Sequence, residues 1–327
     1  MFPNKIPALG ISSSTIDYWE TAMKWFWGTS GSIGAIVVLL LVWGFVVEPR
    51  FLLDTTEHGV KLPNLPETWE GEQVALLADF QIGMWWHNLG MIEEAVEEVI
   101  EAQPALLVIA GDFLYQPDSA KVQIAAELMR PLGEAGITTL AVLGNHDYSL
   151  MHEDSKLELP IGRYLEQELE RVGVRVIENE AVPLRLRNGE PLYVAGVGSV
   201  WADRSAPQQA VSGIPSDAAR VVFMHNPEAY RELPAYEAPL TLAGHTHGGQ
   251  VRIPILDTES WLDIVKPREV IADGWSKDDV GNDGNQMYVN RGIGFSNVPV
   301  RLFCRPELTL FTLTRAQDNV ASYEADI

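Results

Sequence analysis

Five short apolar runs in this chain each break off at a cluster of polar residues, and that recurrence limits the folds open to it. VALLA leads to Asp79 and Gln81, LLVIA to Gly111-Asp112, LAVL to Gly144-Asn145-His146-Asp147, VVFM to His225, and LTLA to Gly244-His245-Thr246-His247. Aliphatic runs this short read as buried strands. After the first of them, Met91, Ile92, Ala95, Val96, Val99 and Ile100 recur at helical spacing and leave Glu93, Glu94, Glu97, Glu98 and Glu101 for water. Further helices are expected over Ala120 to Leu132 and from about Gly162 to Val172. Strands are expected at Val174 to Ile177, and at Val182 to Arg187 and Leu192 to Val197 around an Asn188-Gly189 turn. The pattern predicts an α/β fold, a two-sheet β-sandwich flanked by helices.

In open α/β sheets ligands gather beyond the carboxyl ends of strands, so these clusters are expected to converge on one crevice. Two carboxylates, an amide and three imidazoles suit borderline divalent metals such as Mn, Fe or Zn. They are too many for one ion. Two ions about 3.5 to 4 Å apart, bridged by a carboxylate and a hydroxide, would use them all and suit in-line phosphoryl hydrolysis.

The order of these clusters resembles the calcineurin-like metallophosphoesterases, whose pattern is D-x-H, GD, GNH(D/E), H and GHxH. The likeness spans about residues 70 to 314, and GHTHGGQVRIP, YVNRGIG and PVRLFCRPELTLFTL are similar to the YkuE-like branch of membrane-associated bacterial phosphoesterases. The resemblance implies that Asp79, Asp112 and His247 hold one ion while Asp112, Asn145, His225 and His245 hold the other. It also implies that His146 binds phosphate and protonates the leaving oxygen, with Asp147 fixing its ring. Gln81 departs from the pattern, which has His there. An amide oxygen is a weaker, harder donor, so Mn or Fe is favoured over Zn. The alternative to an enzyme is a non-catalytic metal or phosphate sensor with a degenerate first site.

Gly111 to Tyr115 reads GDxxY, the form in which purple acid phosphatases supply a tyrosinate, making Tyr115 a candidate further ligand. Arg291, Trp85 and Trp86 are candidates for substrate contact. His58, His87 and His152 are read as structural, and Gly144 and Gly244 as allowing tight turns.

No charged residue lies between Lys24 and Glu48, and Ile33 to Val47 is apolar on every side. A bilayer core needs ~20 such residues, and Trp25, Trp27 and Trp43 suit its interfaces. One transmembrane helix is expected over 25–47, after an N-terminal segment 1–24. EPRFLLD follows where a signal peptide would need small residues, so the anchor is expected to stay uncleaved. Pro49, Pro63 and Pro66 mark 48–69 as a linker, 70–314 as the catalytic domain and 315–327 as a polar tail. The Asp-, Gly- and Asn-rich stretch 257–286 reads as an irregular surface insertion.

The expected partners are therefore the lipid bilayer and a phosphorylated small molecule or lipid. Lys and Arg near the helix ends show no useful imbalance, and the family resemblance favours the extracytoplasmic side. With 23 basic against 45 acidic residues, a net charge of −22 excludes long nucleic acids as ligands. Cys304 is the single cysteine, which excludes an intrachain disulfide. Oligomeric state has no signature in the sequence.

Overall fold

The computed structural model of the chain describes residues 13–86, 88–151, 154–252, 260, 271–277 and 280–316. The chain divides into two units, Met1–Trp43 and Gly44–Ile327. In the first, α1 (Ser13–Val42) exposes Ile33, Val37, Leu39 and Leu41. A helical stretch long and apolar enough to cross a membrane runs over Lys24–Phe51.

The second unit opens on the end of that stretch, a π-helical turn through Val47 and then α2 (Glu48–Phe51). Residues 44–47, expected as part of the span, belong to this unit. Gly44 packs against Val300 and the backbone of Arg301, where a side chain would not fit easily.

Twelve strands follow among the described residues. β1 (Asp54–Leu62), β2 (Gln73–Leu77), β3 (Leu106–Ala110), β4 (Thr139–Val142) and β5 (Val174–Val176) belong to one sheet. β6 (Glu180–Leu184), β7 (Leu192–Val197), β8 (Arg220–Met224), β9 (Thr241–Ala243), β10 (Gly274–Trp275) and β11 (Met287–Val289) make the other. β12 (Glu307–Arg315) returns to the first, giving the orders β1-β12-β2-β3-β4-β5 and β10-β11-β9-β8-β7-β6. The helices are α3 (Leu89–Ala102), α4 (Ser119–Glu134), α5 (Leu159–Arg171) and α6 (Pro207–Ser212).

Strand alternation builds the layers. On β3, Leu107 and Ile109 face α3 and α4, while Leu106 and Val108 meet Val194, Val221 and Phe223 of the opposite sheet. A third cluster, including Val222, Met224 and Tyr230, covers the far face of the second sheet. β2, β3 and β4 run parallel, as do β7, β8 and β9, so the carboxyl ends within each set stand side by side.

Three expectations need correction. The linker 48–69 contains β1, paired in parallel with β12 over its whole length. Its less exposed positions are Asp54, Thr56 and His58, polar residues that mask the period of two, before Val60 and Leu62 make it visible. Part of the insertion 257–286 is ordered as β10, an edge strand whose Trp275 packs on Tyr288 and Phe311. Trp261 lies outside the described residues. The β6–β7 hairpin is present, but its turn centres on Arg187 and Asn188, both left-handed, and closes through Gly189 N–H to Leu186 O at 2.8 Å. Residues 317–327 of the tail also lie outside the described residues.

Candidate metal centre

Where the strands end, the backbone turns sharply. Asp79, Gln81, Asp112, His245 and His247 all have positive φ, between 52° and 76°. For residues other than glycine this conformation costs ~1–2 kcal/mol each, and such strain concentrates at functional sites. Its effect here is to swing five polar side chains into one buried crevice. Gly144 and Gly244 do not supply turns of this kind. They are glycines because of close approach: a Cβ on Gly144 would lie 2.1 Å from Asp112 Oδ1, and one on Gly244 would lie 2.7 Å from Ala78 Cβ.

Asp112 is common to two donor groups. In one, Asp112, His225 and His245 offer ligand atoms within 4.8 Å of one another; in the other, Asp79, Asp112 and His247 do so. His225 Nδ1 lies 2.8 Å from Ala110 O, a carbonyl that can only accept, so this nitrogen carries the proton. His225 Nε2 then faces Asn145 Oδ1 at 3.0 Å, His245 Nδ1 at 3.1 Å and Asp112 Oδ2 at 3.3 Å. Asn145 is held in that orientation by donating Nδ2–H to Leu150 O at 2.7 Å. So many lone pairs brought together demand a cation, either a proton or a metal.

The other group has a different deficit. Asp79 accepts the His245 N–H at 2.9 Å, and the Gln81 amide donates to Asp112 Oδ2 at 2.8 Å while lying 3.4 Å from His247 Nε2. Gln81 Oε1 and His247 Nδ1 are buried with no hydrogen-bond partner among the described residues. Turning the Gln81 amide by half a revolution would aim its oxygen at Asp112 and His247, an arrangement that a divalent cation would stabilise. The residues at both positions therefore fit metal ions.

Electrostatics agree. Burial pushes the Asp79 carboxyl up to about 7, opposed by His225 and reinforced by Asp112. Asp112 is equally buried, yet His225 and His146 hold it below the usual carboxylate range. For His225 burial acts downward, but Asp112 and Asp79 overcome it and lift the imidazole to about 9. Burial and the charge of His225 depress His245 to about 4, and burial and Arg301 push His247 well below its ordinary value. A metal must displace the proton on His225, so uptake at pH 8 is expected to release about one proton per chain. Near pH 6, where Asp79 also carries a proton, the release rises toward roughly two, and affinity falls accordingly. Calorimetry of metal binding in buffers of different ionisation enthalpy measures this number directly. Release that stays at zero between pH 6 and 8 would contradict the assignment.

His146 lies beside this cluster, its Nε2 4.0 Å from Asp112 Oδ2 and its backbone N–H donated to Asp112 Oδ1 at 2.9 Å. Asp147 does not fix the His146 ring. Its carboxylate accepts backbone N–H groups of Leu114 and Gly144, each at 2.9 Å, locking together the two loops that carry Asp112 and Asn145. The ring is instead held by Tyr115, whose carbonyl oxygen is 3.0 Å from Nδ1 and whose side chain stacks on the imidazole at 5.1 Å between centroids. That packing accounts for Tyr115 without ligation. Tyr115→Phe keeps the stack and is expected to leave metal content unchanged and the iron-loaded protein's visible spectrum unaltered; loss of an absorbance band would reinstate tyrosinate as a ligand.

The crevice opens into a cavity of about 530 Å³ lined by His146, His245, Trp201, Arg231, Asn297 and Val298, among others. Trp201 meets the His245 ring edge-on at 5.3 Å. Neither Trp201 nor Arg231 belongs to a strand-end cluster, so the local sequence carries no signal for either. Arg291 is not among the lining residues. It is ion-paired with Asp54 at 2.6 Å and Glu307 at 3.2 Å, an inter-strand brace. Trp85 and Trp86 also stand away from the lining, on an exposed surface beside α2. His58 packs among Trp275, Tyr288 and Phe311, as a structural residue would. His87 and His152 lie outside the described residues.

Behind Asp79, the loop from Arg291 to Gly294 forms a wall. A Cβ on Gly292 would lie 2.6 Å from Asp79 Cβ. Buried Arg301 fastens this wall by donating to the carbonyl oxygens of Arg291, Gly292 and Gly294.

This fold and donor set define a metal-dependent phosphoester hydrolase. The calcineurin-like phosphoesterase family model matches residues 73–249, and the chain belongs to that family. Among its relatives, the metallophosphoesterase YkuE of Bacillus subtilis (strain 168) is 26% identical over 275 residues, covering 82% of this chain and 87% of its own. Phosphodiesterase YaeI of Escherichia coli (strain K12) is 30% identical over 226 residues, covering 69% and 76%. A Danio rerio protein named as a transmembrane protein with metallophosphoesterase domain is 24% identical over 300 residues, covering 86% and 62%.

Proposed function

We propose that this protein is a membrane-anchored phosphoesterase with two divalent metal ions, Mn or Fe favoured and Zn admissible, acting on a phosphate ester or diphosphate of a lipid or nucleotide-lipid. The observation that carries the binuclear reading is the sharing of Asp112 between two convergent donor groups. Asp79, Gln81, Asp112 and His247 would hold one ion, and Asp112, Asn145, His225 and His245 the other. Bound there, the ions would neutralise phosphoryl charge and lower the pKa of the attacking water.

The chain's own residues supply the rest. Tyr115 O accepts the Nδ1–H of His146, which leaves Nε2 as the atom able to hand a proton to the departing oxygen. Asp147 keeps the loops bearing Asp112 and Asn145 in register. The sensor alternative rests on Gln81, but its amide is buried against Asp112 and His247 and keeps a donor group in place.

Anchorage is supported by the uncharged stretch after Lys24 and by the Danio rerio relative's name. The Mn-loaded full chain is expected to hold about two ions per molecule and to release phosphate in a screen of lipid, nucleotide and diphosphate substrates. The chain is expected to stay with membranes through an alkaline carbonate wash. Release by that wash would remove the anchor from the reading and leave the metal centre standing.

A further inference from the structure

The loop that walls the cavity also joins a surface of exposed aromatic side chains around α2. Residues 44–51 are held between two segments. On one side Arg50 donates to Trp86 O at 2.7 Å and lies over the Trp86 ring at 4.6 Å, while Phe45 stacks on the same indole. On the other, Glu48 accepts the backbone N–H groups of Phe303 and Cys304, and Gly44 O accepts the Arg301 N–H at 2.8 Å. Trp85 Nε1 reaches Asn297 O at 3.4 Å, tying the first segment to the cavity wall.

Large apolar groups stand in water here. Phe51 is 67% exposed, Trp85 59%, Trp86 49%, Val298 44% and Phe303 43%. Exposed apolar groups gathered in this way mark an interaction surface. The chain itself names the occupant. Immediately before Gly44 lies the charge-free apolar stretch, and at 1.5 Å per residue Phe51 is no more than roughly 12 Å along a helix from Trp43. By chain continuity, a bilayer crossed by that stretch ends close in sequence to the segment 44–51, to which these side chains are tied. Tryptophan belongs at such a boundary, and an Arg stem can lie along apolar surface with its head in the lipid headgroups. A net charge of −22 gives no attraction to anionic lipid, so contact has to be apolar.

We propose that Phe51, Trp85, Trp86, Val298 and Phe303 form a rim seated in the bilayer, which holds the cavity at the headgroup layer so that a phosphorylated lipid enters from the membrane plane. Val298 lines the cavity and is also one of the exposed rim residues. The lipid's phosphate would reach His146 and the carboxylates while its chains stay in the bilayer. This inference rests on the membrane-anchored reading above.

The full chain, reconstituted in phosphatidylcholine vesicles, provides the test. A nitroxide label is attached in turn to Phe51→Cys, Trp85→Cys and Val298→Cys, with Leu39→Cys reporting on the helix and exposed Tyr236→Cys on water; native Cys304 is buried. The rim labels are expected to collide with oxygen in preference to a water-soluble nickel chelate, as Leu39 does, and opposite to Tyr236. Rim labels as accessible to the chelate as Tyr236, beside a lipid-facing Leu39, would overturn the rim and leave the anchor. A water-facing Leu39 would overturn both. In a second assay, phosphatidic acid in the vesicles is expected to inhibit p-nitrophenyl phosphate turnover by the natural protein and not by Phe51→Ser/Phe303→Ser. Equal inhibition of the two proteins, or inhibition of neither, counts against entry from the membrane.

Discussion

Asp112→Asn is expected to abolish turnover and strip the protein of both metal ions at once. The substitution preserves shape and removes one charge, yet Asp112 is the only residue common to the two donor groups. It also accepts from Gln81 and from the backbone N–H of His146. A preorganised electrostatic group contributes about 10²–10³ in rate, so losing the one that organises both groups should cost ~10⁴ or more. The metal-free protein carries a second signature. Asp112 is the main influence raising His225 to about 9, so without it burial should bring the imidazole back down. The sign follows: a raised folded pKa contributes stability that is complete below the ordinary value near ~6.5 and is lost as pH rises through about 9. The metal-free variant should lack that loss. Metal analysis and NMR titration of His225 read both effects, and a variant retaining about two ions would refute the bridge.

His146→Ala separates acid catalysis from metal binding. Its Nδ1 is committed to Tyr115 O, and its Nε2 lies near Asp112 at salt-bridge distance and outside the two donor groups. Metal content should therefore persist while turnover falls by about 10²–10⁴, the range for a positioned general acid. The loss should be largest for alkyl phosphates, whose leaving oxygen needs a proton, and far smaller for p-nitrophenyl phosphate, whose leaving group departs as the anion. Equal losses on both substrates would show that His146 positions phosphate without protonating it. Emptying of the metal positions would show that it is a ligand.

The contrast between what the sequence predicts and what the structure shows has physical reasons. Strand-end clusters are legible because each aliphatic run stops where the chain turns into the crevice, and two sheets follow from the number of such runs. β1 is illegible in the sequence because an edge strand needs only one apolar face, and Thr56 and His58 occupy part of it. The work of Asp147 is illegible for another reason: its acceptors serve backbone N–H groups of Leu114 and Gly144, and one of them is more than thirty residues away. Arginine is commonly a phosphate contact, but Arg291 is taken up by Glu307 at the start of β12 and by Asp54 of β1, which lies far away in the chain. Arg231 and Trp201 line the cavity from segments whose local pattern says nothing of a site. Gly144, Gly244 and Gly292 are conspicuous as letters, but their role, room beside Asp112 and Asp79, exists only after folding.

Anomalous diffraction from crystals of the manganese-loaded protein tests the central claim most directly. Two peaks flanking the Asp112 carboxylate, one beside Asp79 and His247 and the other beside Asn145, His225 and His245, are the predicted result. A single peak, or peaks that do not share Asp112, would contradict it.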